Sequence, residues 1–332
     1  MKRILVTGGA GYVGSVCCAQ LLSQGFAVHV VDDLSTGHAT AVPDGATLER
    51  FDVGDRDALP SLLTSKNCDA VFHFAAKALI SESVTNPGPF FDANVASGVS
   101  MLETLRRHGI RKFIFSSSAA VYGSPKVVPI PEHHSTEPVN AYGESKLIFE
   151  HILKWYAYSY GWSVVVFRYF NACGGGQKWG EQHDPETHII PLLLQTASGR
   201  RDYFEIYGTD YPTADETCLR DYVHVVDIAE AHILAMGKME SPGFHVYNIG
   251  TGTSYSVKEV CRAVERVTQM SIRVRLVPRR LGDPAILCAS PKKLMNDFGW
   301  EPKHSSLEEI IRGAWEWEQV QCGRELAKPS GH

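Results

Sequence analysis

The 332-residue chain predicts an α/β protein: a doubly wound parallel sheet carrying a smaller, discontinuous α/β lobe. Three observations predict it. Short apolar runs alternate with longer amphipathic stretches through the first half, the pattern of strands covered by helices on both faces. A glycine-rich turn links the first strand to the first helix, and a carboxylate closes the second strand about 20 residues further on. After residue 171 the alternation lapses and only later resumes, so the second lobe is built from separated segments.

Composition is that of an ordinary globular chain, 44% hydrophobic and 21% charged, long enough for two lobes. A formal charge of −5 and a pI near 6.3 give no reason to expect nucleic acid or an anionic membrane as partner. No apolar run approaches the roughly 20 residues that span a bilayer. The N-terminal apolar run breaks at Gly8, too soon for the core of a signal peptide. The eight cysteines show no C-x-x-C spacing, and Cys17 and Cys18 are neighbours in a predicted helix. Reduced, mostly buried thiols in a cytoplasm fit this pattern, and no metal site is expected.

The elements come in order. Residues 3–7 form a strand that runs into Gly8-Gly9-Ala10-Gly11-Tyr12-Val13-Gly14, then a helix to about Gln24 that Gly25 ends. The spacing is G-x-x-G-x-x-G. Its glycines allow a tight turn and let a pyrophosphate approach the backbone at a helix N-terminus. The strand over 27–31 ends in Asp32, which suits two ribose hydroxyls and repels a 2′-phosphate. With no arginine in 33–37, NAD is favoured over NADP. The strand at 48–51 ends in Asp52-Val53, and that at 70–74 ends in Ala75-Ala76. A helix of about 20 residues covers 89–108. The strand at 112–115 runs into Ser116-Ser117-Ser118-Ala119-Ala120-Val121-Tyr122-Gly123. A helix preceded by Pro138 comes next, with Leu147, Ile148, Ile152, Trp155 and Tyr156 as its apolar face and Gly161 as its stop; a strand then covers 163–168.

Beyond Asn171, residues 172–216 are rich in Gly, Asp and His, with a helix near 188–198 and a strand at 205–207. Residues 219–226 with the helix after them, and then 245–249, read as a return to the sheet. Ser256-Val257-Lys258-Glu259 and Ser305-Ser306-Leu307-Glu308 read as capping boxes. The lobe supplies Arg220, Arg279 and Arg280, which would suit an anionic diphosphate. The expected division is a nucleotide-binding domain over 1–171, with 219–250 returning to it. Residues 172–218 and 251–322 make the second lobe, and 323–332 a loose tail.

The chemistry centres on Asn140-Ala141-Tyr142-Gly143-Glu144-Ser145-Lys146. A spacing of four puts Tyr142 and Lys146 on one helical face. A phenol titrates near 10, and a neighbouring ammonium draws it toward the working range, making Tyr142 a general base tuned by Lys146. The similarly spaced Tyr122 and Lys126 are separated by Gly123 and Pro125, which argue against a helix there. Ser118 and Tyr142 lie just past successive strand ends, where doubly wound sheets bind ligands. A solvated turn is the plainer reading of a serine cluster, and the glycine turn with Tyr142 favours a site.

Together TGGAGYVGS, SSSAAVYG, YGESK, RYFNACG, LRDYVHV and NIGTG resemble the extended short-chain dehydrogenase/reductase superfamily, and within it the UDP-sugar 4-epimerase branch. The resemblance runs from Arg3 to about Trp317. It implies a Rossmann-type NAD domain, a UDP-hexose substrate and a homodimer formed through the helices at 89–108 and 142–160. It places NAD against Gly8, Gly11, Tyr12, Val13, Gly14, Asp32, Asp33, Asp52, Val53, Phe74, Ala75, Ala76, Asn94, Ser116, Tyr142, Lys146 and Tyr169. Tyr142, Lys146 and Ser118 become the catalytic residues. Ser118, Tyr142, Asn171, His188, Tyr207, Arg220, Arg280, Asp283 and Leu287 become substrate contacts. The implied reaction interconverts UDP-glucose and UDP-galactose on a tightly bound, recycled NAD.

Three positions depart from the pattern. Lys77 sits one place before the position of a phosphate-binding lysine, His188 stands where some relatives carry asparagine, and Leu287 where some carry tyrosine. Leucine leaves more room for a 2-acetamido group, so UDP-N-acetyl sugars are expected to be tolerated. A dehydratase would need an acid pair where Ala119-Ala120 stand. A non-catalytic NAD-binding regulator would not need the Tyr–Lys pair. The sugar pair itself stays open among hexose, N-acetyl, pentose and uronate forms.

Overall fold

A computed structural model describes residues 2–280 and 283–326. Leu281 and Gly282, inside the expected Arg279–Asp283 stretch, and residues 327–332 of the expected tail lie outside them. The centre is a seven-stranded, wholly parallel sheet. Its strands are β1 (Arg3–Thr7), β2 (Ala27–Val31), β3 (Thr47–Glu49), β4 (Ala70–His73), β5 (Lys112–Ser118), β6 (Ser163–Tyr169) and β10 (Gly243–Ile249). The order β3-β2-β1-β4-β5-β6-β10 reverses at β1, which opens a crevice at the carboxyl ends there. β-Branched and aromatic residues fill these strands because both faces are covered.

One face carries α1 (Tyr12–Ser23), α8 (Val225–Met236) and α10 (Lys292–Phe298), with Val16, Leu21, Ile228 and Leu294 in a common core. The other carries α2 (Ala58–Lys66), α6 (Ala141–Tyr160) and a rod formed by α4 (Gly88–Phe91), a π-helical turn (Asp92–Ser97) and α5 (Gly98–Arg107). A short α3 (Ile80–Thr85) precedes the rod. The single helix expected over 89–108 is thus interrupted by a wider turn, a local change that hydrophobic periodicity does not resolve.

The second lobe holds β7 (Asn171–Cys173), β9 (Leu219–His224), β11 (Ser254–Ser256) and β13 (Ile286–Leu287) in one small sheet. β8 (Phe204–Tyr207) pairs with β12 (Val274–Val277) in another. Helices α7 (Ile189–Ala197), α9 (Val257–Thr268) and α11 (Leu307–Leu326) pack around them. Of the two segments expected to rejoin the large sheet, β10 does so beside β6. β9 does not: it pairs with β7, β11 and β13 instead, although the helix after it packs on α1. Alternating burial cannot tell which sheet a strand joins.

Ser256 and Glu259 form the expected capping box. At α11 the cap is one residue later than expected, with Ser306 accepting the Glu309 N–H, because Ser305 is buried and donates to Asp227. α11 continues through Leu326, so the tail expected from residue 323 overlaps a helix. The predicted apolar face of α6 holds at Leu147 and Tyr156, which are buried, and fails at Trp155. Trp155 is 70% exposed, while Phe149 and Leu153 reach the core.

Beneath the sheet's carboxyl edge lies a buried polar cluster. Arg168 donates to both oxygens of Glu150, from Nε at 3.0 Å and Nη2 at 2.6 Å. Ser117 donates to Glu150 at 2.5 Å, and Arg168 also reaches the Tyr122 hydroxyl at 3.0 Å. Removing one member strands a buried charge. Glu150→Ala is therefore expected to cost about 3–5 kcal/mol in urea unfolding, and Glu150→Ala with Arg168→Met to recover much of it. A single-variant loss under about 1 kcal/mol would show that the cluster is not integral to the fold.

Candidate active site

The glycine turn is shaped by close backbone approach. Gly8 has φ of +72°, and a Cβ there would lie 2.4 Å from the Ala75 nitrogen; one on Gly14 would lie 2.1 Å from the Gly8 oxygen. Phe74 and Ala75 both donate to the Thr7 carbonyl, which places 74–76 against the turn. Helix α1 opens on Gly11 with no side-chain cap and no acidic residue in its first turn. Its positive end therefore faces a cleft lined by Gly11, Tyr12, Ser15, His38, Glu181 and His183. Val13 lies next to Tyr12 in that first turn, and the Tyr12 hydroxyl donates to the Gly174 carbonyl at 2.6 Å.

At the end of β2, Asp32 is buried and accepts the Ala10 N–H at 3.0 Å and the Leu34 N–H at 2.9 Å. Burial raises its carboxyl above the usual range, and the two N–H donors oppose the rise. It thus braces the turn and keeps lone pairs for further donors, such as ribose hydroxyls. Asp33 is exposed and accepts from Ser35, while Asp52 is exposed and accepts the Gly54 N–H at 2.7 Å. Val53 beside it is buried in the core. These residues fit a dinucleotide: an uncapped helix end for the pyrophosphate and carboxylates at the ends of β2 and β3.

Asn94, in the π turn, bonds the Lys77 N–H and carbonyl at 2.8 and 3.0 Å and donates to Ser145 at 2.9 Å. It ties the loop after Ala76 to α6. Lys77 is half-buried there.

Asn140 caps α6 by accepting the Gly143 N–H at 2.8 Å. Gly143 lets the helix settle on the turn after β5, since a Cβ would lie 2.7 Å from the Ala120 carbonyl oxygen. This docking brings Tyr142 beside Ser118, whose hydroxyl favours the phenolate form. Ser118 Oγ accepts the Ala120 N–H at 3.1 Å and so keeps its own proton to donate. Lys146 is buried and donates to the Ser116 carbonyl at 2.9 Å, with Nζ 5.8 Å from the Tyr142 ring centre. Burial raises the Tyr142 phenol and pushes Lys146 down to about 7. Desolvation is the largest influence on both groups. Tyr169, opposite Ser118 in the β5–β6 ladder, bonds His232 at 2.7 Å.

On the far side, Asn171 donates to the Asp221 carbonyl at 2.8 Å, and Arg220 pairs with Asp283. Arg280 stacks on Tyr207, its guanidinium carbon 3.9 Å from the ring centre. Leu287 pairs with Arg220 across β13–β9 and packs on the cluster of Ala119, Leu147 and Phe170 beside Ser118. That contact joins the arginines to the Tyr142 corner. His188 stands apart, before α7, bonded to Glu186 at 2.8 Å. Desolvation opposes its charged form, and the Glu186 and Glu181 carboxylates outweigh that and raise it to about 9.

Two positioning residues escaped the sequence reading. Glu150, one turn after Lys146, is the charge that favours its ammonium form. Asp221 is fully buried and accepts from Thr251, Gly252 and Ala289, pinning the turn after β10 and the strand end after β13 to β9. Both carboxylates lie inside strongly apolar stretches, which was the available signal.

A parallel sheet reversing at a glycine turn, with a serine, tyrosine and lysine at its carboxyl edge, defines a dinucleotide-dependent enzyme of the reductase type. The chain belongs to the NAD dependent epimerase/dehydratase family, whose model matches residues 4–250. It is 43% identical over 313 residues to a UDP-glucose 4-epimerase of Corynebacterium glutamicum, covering 94% of each chain. It is 44% identical over 317 residues to one from Halalkalibacterium halodurans, covering 95% of each. The crystal structure of the Brucella ovis UDP-glucose 4-epimerase in complex with NAD superposes with a TM-score of 0.91 at 42% identity, covering 95% of this chain and 98% of that one.

Burial of Lys146 has a testable sign. Its folded value near 7 lies below the ordinary lysine value of about 10.4, so the unfolded chain binds the extra proton between those limits. The native state is penalised fully below pH 7, and the penalty fades as pH rises toward 10. Lys146→Met is expected to be more stable than the parent chain at pH 6.5 and to lose that margin by pH 10, by urea midpoints. A margin that is constant with pH would exclude a depressed lysine.

Proposed function

We propose that this protein interconverts UDP-glucose and UDP-galactose by removing and returning hydrogen at the sugar C4. The observation that carries this reading is the meeting of Ser118, Tyr142 and Lys146 at the carboxyl end of β5, with Lys146 one helical turn from Tyr142. Ser118 donates to the sugar O4 and Tyr142 takes its proton. Lys146 holds the nicotinamide ribose and adds positive charge beside the phenol. NAD, when bound, accepts the C4 hydride and gives it back, so the net change is an inversion. The 4-keto sugar turns over between the two transfers. Arg220, Arg280 and Asn171 hold the UDP portion, which is the larger share of the ligand, while the hexose stays free to present either face.

Gly8, Gly11, Gly14 and Asp32 anchor NAD, supported by the uncapped start of α1 and the braced carboxylate. Ala119 and Ala120 come directly after Ser118, so that turn supplies no acid for elimination and favours epimerisation over dehydration. Leu287, beside Arg220 and Ala119, leaves room for a 2-acetamido group, and UDP-N-acetylglucosamine is read as a second substrate. The seven-stranded sheet supports a nucleotide lobe, and the two smaller sheets support a separate UDP-sugar lobe. Phe91, Val95 and Val99 on the rod and Ile148, Ile152 and Trp155 on α6 are partly or largely exposed, which supports a homodimer through these helices. The eight cysteines form no disulfide among the described residues and seven of them are buried, which supports a reducing, cytoplasmic setting. No described helix is long and apolar enough to cross a membrane.

Purified protein given UDP-galactose without added NAD is expected to form the 4-epimer. Tyr142→Phe should slow turnover by at least about 100-fold while NAD stays bound. No conversion even with NAD supplied would end the 4-epimerase reading for that sugar. Leu287→Tyr should suppress UDP-N-acetylgalactosamine turnover more than that of UDP-galactose; equal losses would refute the role given to Leu287. Trp155→Glu is expected to shift the protein from dimer to monomer in analytical ultracentrifugation, and an unchanged dimer would place the interface elsewhere.

A further inference from the structure

The segment between β7 and α7 crosses the mouth of the nucleotide cleft as a strap. It is fastened at several points: His38 Nε2 to the Gln182 carbonyl at 3.1 Å, Trp317 Nε1 to the Glu181 carbonyl at 2.9 Å, and Tyr12 to Gly174 at 2.6 Å. Within it, Glu181, His183 and His188 turn their side chains toward one another. One donor atom from each lies within 4.8 Å of the other two. His183 Nδ1 bonds Glu181, and His188 Nδ1 lies 3.7 Å from the second Glu181 oxygen. The two imidazole rings are 5.3 Å apart.

We propose that Glu181, His183 and His188 form a binding site for a zinc-class divalent cation that locks the strap across the cleft. Two imidazoles and one carboxylate are a borderline nitrogen–oxygen donor set, the kind that zinc takes with one position left for water. Tetrahedral zinc needs donor separations of about 3.4 Å, so the set closes on an ion by side-chain shifts of about an ångström. Glu186 supplies the outer support. Its Oε1 accepts the N–H groups of Thr187 and His188 at 2.7 Å and bonds His188 Nδ1 at 2.8 Å, which leaves His188 Nε2 as the nitrogen to meet an ion. The three donors come from eight consecutive residues, and neither the proton transfer nor the hydride transfer uses them. Glu181 and His183 line the cleft at the first turn of α1.

The test uses full-length protein without a histidine tag, stripped with a chelator and titrated with zinc chloride against a chromophoric competitor. One zinc per chain is expected, with nitrogen and oxygen ligands at about 2.0–2.1 Å by X-ray absorption. Glu181→Gln, which keeps the side chain's shape, and His183→Ala with His188→Ala should each weaken binding at least about 10-fold, and the exposed His151→Ala should not. Zinc should also slow proteolysis within the strap in the parent chain and leave the double variant unprotected. No uptake at about 50 µM zinc, or equal affinity in the double variant, would overturn the assignment.

Discussion

The seating of α6 on the end of β5 is the constraint on which the rest depends. A helix with buried lysine and glutamate is unfavourable unless each polar group meets a partner on docking. Here many of the partners come from one serine-rich strand end. Ser116 offers its carbonyl to Lys146, Ser117 its hydroxyl to Glu150 beside Arg168, and Ser118 lies next to Tyr142. Three consecutive residues of a strand alternate in direction, yet each engages the same helix, because the middle one points to the face that α6 covers. The spacing of four between Tyr142, Lys146 and Glu150 matches this ladder. Sliding the helix by one residue would part buried Lys146 and Glu150 from their serine partners at once.

The second lobe is registered to that corner by a different kind of anchor. Asp221 is a buried carboxylate surrounded by backbone N–H groups from two chain segments far apart in sequence. Backbone donors come at fixed positions along the chain, so this arrangement sets the register of the turn after β10 and the end of β13 against β9. Arg220 and Leu287, neighbours of that anchor, inherit their positions from it. Asp32 and Asp221, both raised by burial, each brace backbone N–H groups of a turn.

Much of the fold was legible because the signals were local. A glycine turn between an apolar strand and a helix, an acid at the end of β2, and Pro138 with Asn140 before α6 each state a backbone geometry within a few residues. What stayed hidden was set at long range. The membership of β9 in the small sheet depends on β7, β11 and β13, which its own alternation cannot report. The buried side of α6 was misjudged because Trp155 looks like core and Lys146 does not, whereas packing against β5 makes the reverse true. The site was readable as residue types but not as electrostatics: the Tyr–Lys spacing suggests an ammonium tuning a phenol, and only burial shows that desolvation governs both.

The π turn at Asp92–Ser97 carries an evolutionary consequence. A wide turn is a regular helix with one residue added, and each residue rotates the remainder of the helix by about 100°. Asn94 lies inside the addition, and its amide fastens the loop at Lys77 to Ser145. The feature under selection here is therefore chain length rather than any one side chain. Single-residue deletions between 92 and 97 should be excluded among descendants of this sequence, even where every substitution in that turn except Asn94 is accepted. Helices elsewhere on the surface would tolerate the opposite.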